Sequence, residues 1–438
     1  MSTVEEAPSV EISRSALRRV MVGAIVGGVV EWYDYFIYAS AAALIFGQLF
    51  FTASTPFVGL LQSFATFAVG QLVRPIGAIV LGNLGDKLGR KPILVTTFIL
   101  MGGSTFLIGL LPTYSLVGAW APALLILFRL VQGFGAGAEF AGASIMMVEY
   151  SPKNRRGLYG STGSIGSASG LMLGTLTFFL LQLLPMDQLL SWGWRIPFIF
   201  SAVLIGIGLY IRTRVEESPL FKLVEKENKV QRLPLGTLVR TEWRSLILVF
   251  GLAAGLQMGT YIFLTWIISY LDGPTVGFAP STSTLLIFFA GVAAVIVTPL
   301  AGLLSDKIGR KKVFAGAALL SAILVVPYFL FIDSKNVVLA GIAVVALGGI
   351  AIQFMAGTQG SMFAEVFSTK LRYSGFAVGR EVSAAIFGGL SPLIAVALVG
   401  ATGGSPWLVE IYLAAVLLFT FVVTLFTPKR AQEQELKL

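Results

Sequence analysis

Seven charged side chains interrupt sequence that is otherwise apolar: Glu31, Asp34, Arg74, Arg129, Glu139, Arg380 and Glu381. An ionisable group in hydrocarbon costs about 2.5–3.5 kcal/mol even on a lenient insertion scale, so charges in such places mark function. Glu31, Asp34 or Tyr35, and Tyr38 follow i, i+3 or i+4, i+7 spacing, which predicts one polar helix face turned towards a cavity. Arg129, Gln132, Ala136 and Glu139 fall within an arc of about 80° at 100° per residue, bringing a cation, an amide and an anion to one side. Guanidinium favours a bidentate fork on a carboxylate, so Arg129 with Gln132 is the expected anion contact. Burial and a neighbouring Arg act on the proton affinity of a carboxylate in opposite senses, which lets proton and anion binding depend on one another. Asp34 is the first candidate proton carrier and Glu31 the second. Glu139 is the third, its charge open to neutralisation by Arg129. Arg74, just before Pro75, reads as a snorkelling or gating group.

These residues need elements to hold them, and composition says which kind. The chain has 438 residues, 56% hydrophobic and 12% charged, with a mean hydropathy of +0.86. A soluble domain carries about 25% charged residues. Twelve stretches can each cross a bilayer: 19–47, 57–82, 92–112, 121–149, 157–184, 195–212, 244–271, 281–304, 313–332, 336–363, 374–400 and 406–427. They are too long for barrel strands and lack alternation, so helices are expected. With no Cys and no His, thiolate and imidazole metal sites, disulfides and Cys or His catalysis are excluded. Any proton chemistry falls to carboxylates.

The net charge of +9 is sorted by position. Of the 31 Lys and Arg, 26 lie in the two tails or in the connections after the second, fourth, sixth, eighth and tenth stretches. By the positive-inside rule, these loops and both termini are expected in the cytoplasm of a cell (inner) membrane protein, so the charge signals orientation and not nucleic-acid binding. No cleavable signal peptide is expected, because the first apolar run is too long and carries Glu31 and Asp34. The predicted organisation is a tail at 1–18, a six-helix half at 19–212, a charged loop at 213–243, a second half at 244–427 and a tail at 428–438. The halves repeat: GNLGDKLGRKPIL at 82–94 matches GLLSDKIGRKKVF at 302–314. A looser echo pairs Glu149, a basic loop and Gly157 with Glu365, Lys370, Arg372 and Gly375. Two repeated six-helix halves suit alternating access around a central site.

The doubled G-x-x-x-D-K-x-G-R-K loop in a 6+6 chain resembles the signature of the major facilitator superfamily. Arg129-Leu-Val-Gln132-Gly133-Phe-Gly135-Ala136 is similar to its second motif, found in proton-coupled members. Glu31 to Tyr38 (EWYDYFIY), Arg74-Pro75-Ile76-Gly77, Glu139 and Ser191-Trp-Gly-Trp194-Arg195-Ile-Pro197 resemble the metabolite:proton symporter branch, whose members take up shikimate, 2-oxoglutarate, citrate, proline or betaine. Leu111-Pro-Thr-Tyr114, Ala119-Trp120-Ala-Pro122 and Leu371-Arg-Tyr373-Ser-Gly375 look most like shikimate transporters. The resemblance implies an all-α membrane protein of twelve helices in two pseudo-symmetric halves. It also implies a gate in which Arg90, one turn from Asp86, meets Glu149, while Arg310, one turn from Asp306, meets Glu365. Exposed pairs of this kind contribute about 0–1 kcal/mol each, which suits a gate that must open.

From the second half, Gln257, Tyr261, Trp266, Gln353, Gln359, Arg380 and Glu381 are expected to complete the pocket. Gly163, Gly166, Gly170 and Gly174 form a stripe that permits close helix packing and lacks the Gly-Pro step of drug-exporting relatives. No phosphate-binding P-loop occurs, so ATP-driven transport has no support in the sequence. The expectation is a monomeric secondary transporter, not an enzyme, that carries a small organic anion inward with protons. It needs no cofactor and no metal beyond the proton gradient. A proline/betaine symporter and a non-coupled facilitator are the alternatives.

Overall fold

The computed structural model describes residues 14–51, 55–88, 90–137, 139–214, 235–368 and 371–428. Among them every regular element is helical and no strand occurs. Ten helices are long and apolar enough to cross a membrane, and a bent pair, Met186–Gly193 with Arg195–Ile211 at 43°, supplies an eleventh. Val95–Gly109 is a shorter apolar helix and fills the remaining place in the order.

The spans are α1 (Arg14–Leu44), α2 (Pro56–Leu88), α3 (Arg90–Gly109), α4 (Trp120–Tyr150), α5 (Thr162–Leu181) and α6 (Arg195–Arg214). The second half contains α7 (Trp243–Asp272), α8 (Pro280–Ile308), α9 (Arg310–Asp333), α10 (Val337–Val366), α11 (Arg372–Ala401) and α12 (Trp407–Leu425). Most of the central loop expected at 213–243 and both outer tails lie outside the described residues, apart from a short helix at Leu235–Thr241.

Small residues fix how these helices cross. Hydrocarbon gives apolar side chains little reason to leave lipid, so close backbone contact has to drive packing. A Cβ at Gly166 would sit 2.6 Å from the Ile25 carbonyl oxygen, and one at Gly170 would sit 2.7 Å from the Tyr33 nitrogen. The stripe on α5 thus lies directly on α1. A Cβ at Gly133 of α4 would run into the Gly70 carbonyl of α2. Gly70 has a second consequence: any side chain there would meet Arg129 Nε at 2.6 Å, so the missing Cβ makes room for the guanidinium. Gly309 joins α8 to α9 at φ 96°, a conformation that favours glycine.

The second half departs from regular α-helix at mid-span. Wider π turns occupy Ile262–Trp266 in α7, Val345–Ala351 in α10 and Ala384–Gly389 in α11. Such turns rotate the side chains beyond them relative to a regular helix, and they are frequent at functional sites.

Candidate functional site

Two groups of buried charges occupy the centre. The first is a neutral chain of four. Arg74 Nη2 donates to Glu31 Oε1 at 2.6 Å, Arg74 Nε donates to Glu381 Oε2 at 2.7 Å, and Arg380 pairs with the other oxygen of Glu381. Arg74 is only 5% exposed, so it does not snorkel. Two carboxylates, from α1 and α11, draw it into the protein, and the pair with Glu381 joins the two halves. Glu381 is therefore occupied by two arginines instead of presented freely to a ligand.

The second group is a relay inside the first half. Arg129 donates to Gln132 Oε1, Gln132 Nε2 donates to Thr105 Oγ1 at 2.7 Å, and Thr105 Oγ1 donates to Asp34 Oδ2 at 2.9 Å. Ser201 Oγ donates to Asp34 Oδ1 at 2.6 Å. Asp34 is fully buried. Its two partners come from α3 and α6, so it faces the interior of the first half and not the cavity that its helix neighbour Tyr35 lines. Of the face expected on α1, Glu31 and Tyr35 line that cavity and Asp34 does not. Glu31 goes to Arg74 and Tyr38 goes beneath Arg129, whose guanidinium lies 4.0 Å from the ring centroid. Tyr38 is held there by a 2.7 Å hydrogen bond with Thr66.

Glu31, Tyr35, Gln71, Arg74, Arg129 and Gln132 line a small cavity in the first half. Arg129 is 3% exposed, yet its Nε and Nη2 find no hydrogen-bond partner among the described residues. Buried donors are nearly always satisfied, so these two are available to an anion. Glu139 is buried at the start of the second segment of α4 but does not line this cavity.

A second cavity lies between the halves, where Trp32, Phe36 and Ser164 from the first half face Gln257, Gln353, Gln359 and Arg380 from the second. Tyr261 lines neither of these cavities; its ring lies 5.1 Å from that of Tyr35 and its hydroxyl donates to Gln71 at 3.2 Å. Trp266 lines neither cavity. It stacks on Tyr270 at 5.3 Å and packs beside Phe329, at the end of the π turn Ile262–Trp266. Thr105, Ser201 and Gln71 went unread in the sequence. A hydroxyl or amide in a membrane helix gives little signal, and Thr105 also reaches the Met101 carbonyl one turn back, as any helical threonine can.

At the end of the bundle that carries the basic loops, Arg310 pairs with Glu365 and lies 3.5 Å from Asp306. Asp306 also accepts the backbone N–H groups of Gly157 and Leu158, at 2.7 and 3.0 Å, and so ties α8 to the first half. Glu149 is 3.9 Å from Arg372. The side chains of Asp86 and Arg90 lie outside the described residues.

Residues 20–232 match the family described as "Sugar (and other) transporter", and residues 273–437 match "Major Facilitator Superfamily". The chain is 34% identical over 417 residues to the shikimate transporter of Escherichia coli (strain K12), covering 94% of this chain and 95% of that one. It is 37% identical over 398 residues to the glycine betaine/proline/ectoine/pipecolic acid transporter of Dickeya dadantii, covering 89% and 79%. Among solved structures, the proton:xylose symporter bound to 6-bromo-6-deoxy-D-glucose superposes with a TM-score of 0.76 at 16% identity, covering 95% and 97%. That likeness concerns the fold. The protein is a multi-pass membrane transporter of metabolites and not an enzyme, and the chain belongs to the major facilitator superfamily.

Proposed function

We propose that this protein takes up a small organic anion, such as shikimate or a di- or tricarboxylate, together with protons by alternating access. One observation carries the reading: Arg129 holds two buried donors with no partner among the described residues, at one end of a hydrogen-bond relay whose other end is Asp34. Asp34 takes the proton. Once it is neutral, the charge of Arg129 has lost its nearest counterweight along the relay, and an anion restores the balance. Loss of the anion reverses the order. The coupling needs no movement of either residue, only a change in what each stabilises.

The neutral chain Glu31–Arg74–Glu381–Arg380 holds the halves together at the centre. The end with the basic loops faces the cytoplasm of a bacterial inner membrane, Asp306, Arg310 and Glu365 form its gate, and a monomer suffices. The second reading is a zwitterionic osmolyte of the proline or betaine type. The rings of Trp32 and Phe36 beside the second cavity favour it, since aromatic faces attract quaternary ammonium groups.

The test uses purified protein in proteoliposomes with an inward acid gradient. Shikimate, 2-oxoglutarate or citrate should accumulate against its gradient, and a protonophore with valinomycin should abolish this. Accumulation that survives both agents rules out proton coupling.

A further inference from the structure

The cavity between the halves contains more unmet hydrogen-bonding capacity than packing explains. Four residues that line it have buried polar atoms with no hydrogen-bond partner among the described residues: Trp32 Nε1, Gln257 Nε2, Arg380 Nε and Gln359 Oε1. Each of the four residues is at most 7% exposed. Orphaned polar groups at this depth are rare, and each carries a desolvation penalty that a ligand can remove. The surrounding groups are fixed by bonds of their own. Gln359 Nε2 donates to Ser164 Oγ at 3.2 Å, and Gln353 Nε2 donates to the Gly348 carbonyl at 3.2 Å. Gln359 is held by its amide N–H on Ser164, and its Oε1 is left as an acceptor without a partner among the described residues.

The unmet set is three donors, one of them cationic, and one acceptor. That pattern selects among substrates. A carboxylate supplies acceptors but cannot satisfy Gln359 Oε1, which needs an O–H or N–H. A quaternary ammonium has no N–H, and it would place a fixed cation in a cavity already lined by Arg380. A hydroxyl both donates and accepts, so it can serve Gln359 and Gln257 together. We propose that this inter-half cavity is a hydroxyl-reading subsite, in which Gln257 and Gln359 recognise hydroxyl groups of a polyhydroxylated carboxylate. This selects that class over simple carboxylates and over quaternary ammonium osmolytes. It rests on the organic-anion reading above.

Binding to the full-length protein in detergent, read by quenching of tryptophan fluorescence and by thermal shift, tests the proposal without any gradient. The probes are shikimate and quinate, cyclohexanecarboxylate as the acid without hydroxyls, and glycine betaine. Either hydroxylated acid should bind at least about tenfold more tightly than cyclohexanecarboxylate, because a site built to bond hydroxyls rejects analogues that lack them. Glycine betaine should not compete. Gln257→Leu and Gln359→Leu should each weaken the hydroxylated acid roughly fivefold or more while leaving cyclohexanecarboxylate unchanged. Equal affinity for the acid without hydroxyls, tighter binding of betaine, no binding of either hydroxylated acid, or equal loss of both acids in the variants would each overturn the assignment. The comparison among ligands on the wild-type protein stands even if a variant fails to fold. Since no gradient is applied, an uncoupled transporter would still give the expected ligand ranking, so failure of proton coupling is distinguishable from failure of this subsite.

Discussion

Asp34 and Glu31 are both buried carboxylates on one helix, but their surroundings assign them different work. Glu31 faces a guanidinium at 2.6 Å and belongs to a neutral chain, whereas the described hydrogen bonds to Asp34 come from two hydroxyls. Removing one partner of a buried ion pair costs about 3–5 kcal/mol, so Glu31 is poorly suited to exchange a proton in every cycle. A hydroxyl can reverse its bond, since it donates to a carboxylate and accepts from a carboxylic acid. Asp34→Asn should therefore abolish accumulation driven by a pH gradient but spare exchange of labelled for unlabelled substrate. Wild-type accumulation by this variant would remove Asp34 as the obligatory carrier. Arg129→Ala should act on binding instead, weakening the anion at least tenfold at fixed pH in an equilibrium titration, as expected when a charge-assisted hydrogen bond is lost.

At the scale of elements, the glycines do what the apolar side chains cannot. Gly133→Ala would push α4 away from the Gly70 carbonyl and move the base of the relay, at a cost of about 1–3 kcal/mol. A clear fall in the thermal unfolding midpoint, with weaker anion binding in the protein that remains folded, is the expected result. An unchanged midpoint would show that α2 and α4 can part freely. The helices themselves were legible in the sequence, because an apolar run of about twenty residues leaves the backbone no other choice in lipid. The seven buried charges were legible for the same reason. Their partners were not. Asp34 and Tyr35 are neighbours and therefore about 100° apart on a helix, so in a span buried on every side they serve different surroundings. Trp266 packs on Tyr270 at the end of a π turn, and no sequence pattern announces such a turn.

Across the whole molecule, the halves touch at both ends. Asp306 with Gly157 and Leu158, and Gly160 against Gly360, close the basic end; Gln182 accepting from Thr284 at 2.8 Å joins the opposite end. A Cβ at Gly360 would run into the Gly160 carbonyl, so Gly360→Ala should favour the state open at the basic end. The chain has no native cysteine, so a Ser164→Cys reporter can be read against a silent background. Its maleimide labelling should be severalfold faster with Gly360→Ala, and equal rates would show that the halves close despite the methyl group. The buried charges at the centre also bear on energetics. Of the seven buried charges, Glu31, Arg74, Glu381 and Arg380 cancel among themselves, which leaves Asp34, Glu139 and Arg129; under the proposed coupling the proton goes to Asp34 and the anion to Arg129. One proton on Asp34 and one monovalent anion on Arg129 carry no net charge across the bilayer. Moving a single charge would couple to about 2.3 kcal/mol per 100 mV. Under the proposed one-to-one coupling, uptake of a monovalent anion should therefore ignore a potassium diffusion potential and follow the pH difference alone, the behaviour of a transporter that reads acidity and is blind to voltage.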